Sequence, residues 1–301
     1  MQSRMAWAPD TAEAAWRPVS TSRRQWRALV HHPLFWVGMT VLVLLALMSF
    51  VGPALYPVNP NAVAPNVSLH PPSPAFPFGT DVLGRNELAR VLNGGSGFLL
   101  VGFASAIAAS LLGSTVGLVA GFTGGAADRI LMRLADVFMG IPQLVPLLLF
   151  DVLFLPNDAT MILILSLTVW PLVARLVRAE TLTIREREYV TAAVAVGATR
   201  SRILRRHILP NILGTVLVTS SSQLGSTVLI LATASFLGFG LPPPAPNWAQ
   251  MVADSTQYLV GGNWWLFLPP GLAFVALQVS VYFVADAFRQ AFNPHTLQGA
   301  R

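Results

Sequence analysis

Six apolar runs of about 20 residues each constrain this chain more than any motif in it. A helical run of that length, rising about 1.5 Å per residue, crosses a hydrocarbon core about 30 Å thick. The helix also satisfies every backbone N–H and C=O internally where no water can. Composition agrees: 54% of the 301 residues are hydrophobic and 11% are charged, against about 25% charged in ordinary soluble domains. The fold class expected is all-α, a polytopic membrane protein with six transmembrane helices.

The charges set the orientation. The net charge is +6, and all 19 residues counted as Lys+Arg are arginine. The arginines sit at the ends of apolar runs instead of along a face with interleaved aromatics, so nucleic acid is excluded as a partner. The positive-inside rule accounts for them, with both termini cytoplasmic. A P-loop needs its GK[ST] lysine, and this chain has none. No cofactor is therefore expected on this chain, and any ATP and Mg bind elsewhere. With no cysteine there are no disulfides.

In chain order, residues 1–33 form a polar cytoplasmic segment with Arg17, Arg23, Arg24, Arg27, His31 and His32. The first span, 34–55, is too long for the core of a cleaved signal peptide. Adjacent histidines point to different helix faces, which favours an interfacial role for His31 and His32 over metal ligation. Residues 56–97 form an external segment, rich at first in Pro and Asn. Its second part, DVLGRNELARVL (Asp81 to Leu92), has apolar residues near helical spacing. That predicts a short amphipathic helix on the outer surface.

The core, 98–294, carries five further spans. In the second span, 98–122, Gly102, Ala106, Ser110 and Ser114 form one small-residue row, and Ala109, Gly113, Gly117 and Gly121 form the next. Such rows bring helix backbones close in lipid, and a glycine-lined pore wall is the alternative. Arg129 and Arg133 mark the cytoplasmic side. A third span follows to about Leu155, which Pro142 and Pro146 can kink. Asp151 within it is a functional candidate, although its place near the outer end favours a helix-end role. The fourth span is 159–177, the fifth 212–239, and the sixth 264–288. An external PPPAPNW stretch follows the fifth, and a tail, 295–301, closes the chain.

Between the fourth and fifth spans lies REREYVTAAVAVGATRSRILRRHILP, residues 185–210, with six arginines and two glutamates. Crossing a bilayer does not require it. Glu188 to Val196 is helix-forming, with Tyr189, Ala192, Ala193 and Val196 on one face. Gly197 permits a turn or a close approach. A second helical segment, Thr199 to Leu209, carries Arg200, Arg202, Arg205 and Arg206, and Pro210 stops it. Physical reasoning leaves two readings open, insertion into a groove of a soluble protein or a rest on anionic membrane lipid.

This block resembles the EAA loop of ABC importer permeases, whose pattern is EAA, three residues, Gly, nine residues, then Ile-x-Leu-Pro. Thr191, Ala192 and Ala193 occupy EAA, Gly197 the glycine, and Leu209 and Pro210 the ending. Thr191 replaces Glu, and His207 replaces Ile. FGTDVLGRN (78–86), GGAADRILMRLADV (124–137), SFLGFGLPPPAPNW (235–248) and DAFRQAFNP (286–294) are similar to the C-type subunit of the dipeptide, oligopeptide and nickel branch. The likeness covers roughly residues 33–294.

The resemblance implies a multi-pass subunit of the bacterial inner membrane that pairs with a homologous B-type permease chain. Two ABC ATPase subunits would dock below, carrying ATP and Mg, and a substrate-binding protein above. Glu188, Tyr189, Thr191, Ala192, Ala193, Gly197, Arg200, Arg205, His207, Leu209 and Pro210 would form the ATPase-coupling loop. With Thr191 in place of the family Glu, Glu188 and the arginines remain as ionic partners. Thr219, Gln223 and Ser226 share a face of the fifth span and are candidates to line the pathway, with interhelical hydrogen bonding as the alternative. The cargo would be a di- or oligopeptide, or nickel or another small solute. A membrane enzyme or a proton-coupled carrier would need paired acids, metal-spaced histidines or a carboxylate relay within the spans, and none stands in the sequence.

Overall fold

The structure, a computed structural model, describes residues 23–153, 157–240 and 244–292. Expectations for residues 1–22, the start of PPPAPNW, the side chain of Asp151, and residues 293–301 lie outside the described residues.

Twelve α-helices stand among the described residues, and no strand does. They are α1 (Arg23–Val30), α2 (Pro33–Phe50), α3 (Gly52–Leu55), α4 (Glu87–Thr123), α5 (Gly125–Gly140), α6 (Leu144–Leu153), α7 (Asp158–Arg185), α8 (Glu188–Ala195), α9 (Arg200–Ile203), α10 (Leu209–Phe236), α11 (Trp248–Ser255) and α12 (Leu268–Phe292). Five helical stretches are long and apolar enough to cross a membrane, and a bent pair, α5 with α6, would make a sixth. The pair is bent by 81°. The break has a local cause: Ile141, ahead of Pro142, is extended at φ −98°, ψ 127°, as the residue before a proline prefers.

The seam between α4 and α7 organises the bundle. A Cβ on Gly113 would lie 2.6 Å from the Trp170 carbonyl oxygen, and one on Gly117 would lie 2.3 Å from that of Ala174. Glycine is needed there because the two backbones touch. The other small-residue row turns elsewhere. Gly102 meets Val228 of α10, while Ala106, Ser110 and Ser114 line a gap between helices.

The expected surface helix over 81–92 is corrected. Asn86 caps α4 by accepting from the Ala89 N–H at 3.0 Å, and the helix then runs unbroken for 37 residues. Residues 81–86 are a turn instead, in which the Asp81 carboxylate accepts from the Leu83 and Arg85 N–H groups at 2.9 and 2.8 Å. Gly84, at φ +73°, sits so close to Ala64 that a Cβ would lie 1.8 Å from its carbonyl oxygen. Glu87, Ala89, Arg90 and Val91 are buried, so this stretch offers no free polar face.

The fully buried Trp248 of α11 fills the space over Gly94 and Gly95 and donates to the Val91 carbonyl at 2.8 Å. Trp265 donates to the Thr80 carbonyl at 3.3 Å. These contacts bind residues 56–86, α11 and the turn Trp264–Leu266 ahead of α12 into a cap at the Glu87 end of α4. The 185–210 block lies at the other end.

Candidate coupling site

An apolar cluster anchors the 185–210 block to the bundle. Val190 of α8, Ile203 of α9, and Ile208 and Ile212 beside them are all buried, and pack with Val173, Val177 and Ile184 of α7. Their hydrophobic burial fixes the block on the end of α7. The outer side is left bare: Val194 is 57% exposed and Val196 86%. Of the face expected on α8, Ala192 and Val196 point outward, and Tyr189 and Ala193 are half-buried.

Gly197 ends α8 in a Schellman turn. The Ala198 N–H bonds the Ala193 carbonyl at 3.0 Å, and the Gly197 N–H bonds that of Val194 at 2.9 Å. Gly197 has φ +80°, and nothing lies within 4 Å of where its Cβ would be. The glycine is therefore required by backbone conformation and not by a close approach within this chain. Thr199 then caps α9, its hydroxyl accepting from the Arg202 N–H at 3.4 Å.

The helical segment expected over Thr199–Leu209 forms, but its stop at Pro210 is corrected. The chain passes from α9 through a π-helical turn, Leu204–Ile208, into α10. Pro210 falls in the first turn of α10, where a missing N–H and a fixed φ are tolerated. The wider π-turn carries the chain past the proline without ending the helix.

The remaining block residues are placed as follows. Glu188 is exposed in the first turn of α8, where a carboxylate complements the helix dipole. The Tyr189 ring lies 5.8 Å from that of His207, and its hydroxyl accepts from Asn211 Nδ2 at 3.4 Å. Thr191 is exposed and donates to the Arg187 carbonyl at 3.4 Å. Arg200 and Arg205 are exposed, and Leu209 is 41% exposed.

One arginine cap and two ion pairs that the sequence reading missed tie this end together. Arg185 donates to the carbonyls of Gly121 and Phe122, at 3.1 and 3.2 Å, and so caps the C-terminus of α4. Arg178 holds Asp128 of α5 through Nε and Nη2, the latter at 2.7 Å. Arg175 pairs with Asp136. The signal was present as two arginines three apart on α7 and two aspartates eight apart on α5. Membrane flanking also accounts for arginines at these positions, so the sequence alone does not mark them as paired.

The three pathway candidates do not share an open wall within this chain. Thr219 and Gln223 are buried, and Ser226 is exposed. The Thr219 and Ser226 hydroxyls donate to the carbonyls of Thr215 and Ser222, one turn back on α10. His32 contacts Gln290 at 2.9 Å. No group of three or more His, Cys, Asp or Glu is arranged to hold a metal ion among the described residues.

Residues 113–297 match the family model described as "Binding-protein-dependent transport system inner membrane component". Residues 20–72 match the "N-terminal TM domain of oligopeptide transport permease C". The chain is 34% identical over 288 residues to the dipeptide transport system permease protein DppC of Bacillus subtilis, covering 94% of this chain and 89% of that one. It is 34% identical over 262 residues to the probable D,D-dipeptide transport system permease protein DdpC of Escherichia coli, covering 87% and 88%. Among solved structures, an inward-facing form of the MetNI methionine ABC transporter superposes with TM-score 0.54 and 22% identity, covering 67% of this chain and 96% of that one. The chain belongs to the binding-protein-dependent transport system inner membrane component family, and is a multi-pass membrane permease.

Proposed function

We propose that this permease is one half of the translocation pathway of an ABC importer for di- and oligopeptides, paired with a homologous permease chain in the bacterial inner membrane. Both termini and the 185–210 block face the cytoplasm. Two ATPase subunits carry ATP and Mg, and one of them receives α8 in a cleft. A substrate-binding protein meets the cap at the opposite face. The relatives named for dipeptide transport support the cargo class.

One observation carries the coupling role. The apolar residues Val194 and Val196 are presented to the outside on a helix whose other side is fixed by the buried anchor Val190, Ile203 and Ile208. A bare apolar tip on a rigid mount is what a groove in another protein receives. Resting on anionic lipid would ask for apolar residues and arginines disposed about one membrane plane, and α8 has no arginine of its own.

Motion passes inward along packed elements. A shift of α8 moves the end of α7 through the anchor, α4 through the glycine seam and the Arg185 cap, and α5 through the Asp128–Arg178 pair. These contacts would turn closure of the ATPases into a rearrangement of the spans. The test is Val196→Arg in the assembled transporter. Peptide-stimulated ATP hydrolysis should be lost while the chain still inserts and pairs with its partner. Normal stimulation in that variant would overturn the coupling role.

A further inference from the structure

The cap holds a polar pocket that the coupling role does not use. Its volume is about 130 Å³, and Asp81, Arg85, Glu87, Arg90, Asp254 and Tyr258 stand among its walls. It lies where the turn at 81–86 and the start of α4 meet α11. Glu87 is 2% exposed and Arg90 6%. Two further lining residues, Asp254 and Gln257, are exposed, so the pocket opens to the outside beside α11.

The charges in this pocket are paired unevenly. Arg85 Nε binds the Asp81 carboxylate at 2.5 Å, and Arg90 Nε lies 3.7 Å from the same Asp81 oxygen. Arg90 also donates to the Pro60 carbonyl at 3.4 Å. Both arginines are thus turned to Asp81, and they act on Glu87 and Asp254 only from a distance. Among the described residues, no hydrogen bond or ion pair reaches the carboxylate of Glu87 or of Asp254. Two arginines therefore face three carboxylates, and the most deeply buried of the three has no partner.

A buried carboxylate without a hydrogen bond is costly, and it is relieved by a proton or by a cation. A metal ion fits poorly. Calcium takes about six to eight oxygen ligands, and no group of three or more His, Cys, Asp or Glu is arranged to hold a metal among the described residues. An organic cation fits better, because Tyr258 lines the pocket and aromatic rings attract ammonium and guanidinium groups.

We propose that this pocket is a site for one ammonium or guanidinium group, held by the Glu87 carboxylate with Asp254 at the entrance. The group belongs to a free small molecule or to a basic side chain of the protein that meets the cap. The second source rests on the docking of a substrate-binding protein proposed above.

The experiment uses the assembled transporter in phosphatidylcholine nanodiscs, with ethylguanidinium and ethylammonium as probes and uncharged ethylurea as the control. Saturation-transfer NMR should show binding of a charged probe and none of ethylurea. Glu87→Gln, which keeps the side chain's size, should weaken that binding about tenfold or more, since a charged hydrogen-bond partner is lost. Asp254→Asn, on the exposed rim, should weaken it too, and carries the test if Glu87→Gln fails to assemble. A proton competes for the same carboxylate, so binding should also weaken as pH falls. A second arm measures association of the substrate-binding protein with the transporter. If its side chain is the source, Glu87→Gln lowers that affinity and excess ethylguanidinium competes; if a free molecule is the source, the affinity is unchanged. The proposal is overturned if neither charged probe binds the unmutated transporter, if ethylurea binds equally, or if the variants bind the charged probes undiminished. Failure of the binding protein to associate even with the unmutated transporter would overturn the docking reading alone.

Discussion

Replacing Gly117 by alanine should pull α4 from α7, and the size of the effect follows from the seam. The added Cβ would stand 2.3 Å from the Ala174 carbonyl oxygen and 3.0 Å from the Arg178 nitrogen. A carbon–oxygen contact relaxes only at about 3.3–3.6 Å, so the helices must part by about 1 Å locally. Neither neighbour is a side chain that can swing aside. Overpacking of this kind costs about 1–3 kcal/mol. Alanine also gains about 1 kcal/mol over glycine in helix propensity, which hides part of the loss. Gly225→Ala is the control, because its Cβ would make an ordinary 3.5 Å contact with Val281 inside another long helix and would gain the same propensity. The difference between the two variants in unfolding free energy, read by denaturing-detergent titration in bicelles, should be about 1–3 kcal/mol against Gly117→Ala. Equal stability of the two would refute the argument that backbone contact at the seam requires glycine.

The other contacts make similar demands. Asp128→Asn should loosen α5 from α7 by about 1.5–3 kcal/mol, since a charged hydrogen-bond partner is lost. Hydrogen exchange along α5 reads this, and Asp128→Arg with Arg178→Asp should restore part of the protection. At the cap, Trp248→Ala should cost about 3–5 kcal/mol through the void it leaves. Trp248→Phe should cost less, chiefly the hydrogen bond to Val91, and a thermal-unfolding series separates the two.

Much of this molecule could be read from periodicity alone. The apolar runs located the long helices, and the charges between two of those runs located the block at residues 185–210. Local chemistry was legible in part: Pro142 breaks the third span as its neighbour Ile141 requires. What escaped the sequence depended on partners distant along the chain. The DVLGRN stretch has helical spacing, yet Ala64 and the Asp81 side chain hold it as a turn, and α4 begins after it. Pro210 reads as a stop until the π-turn before it is seen. Asp128 and Arg178 lie 50 positions apart, so nothing local marks them as a pair. At Gly197 the sequence left a turn and a close approach both open, and the positive φ with open space around it identifies the turn.

The claim that the bare tip of α8 is received by an ATPase subunit has a direct test. A photo-crosslinking amino acid placed at position 196 of the assembled transporter should yield an adduct whose mass is that of this chain plus one ATPase subunit. The same probe at Val275, 56% exposed on α12, should not. Absence of the adduct from position 196, or equal adducts from both positions, would contradict the account.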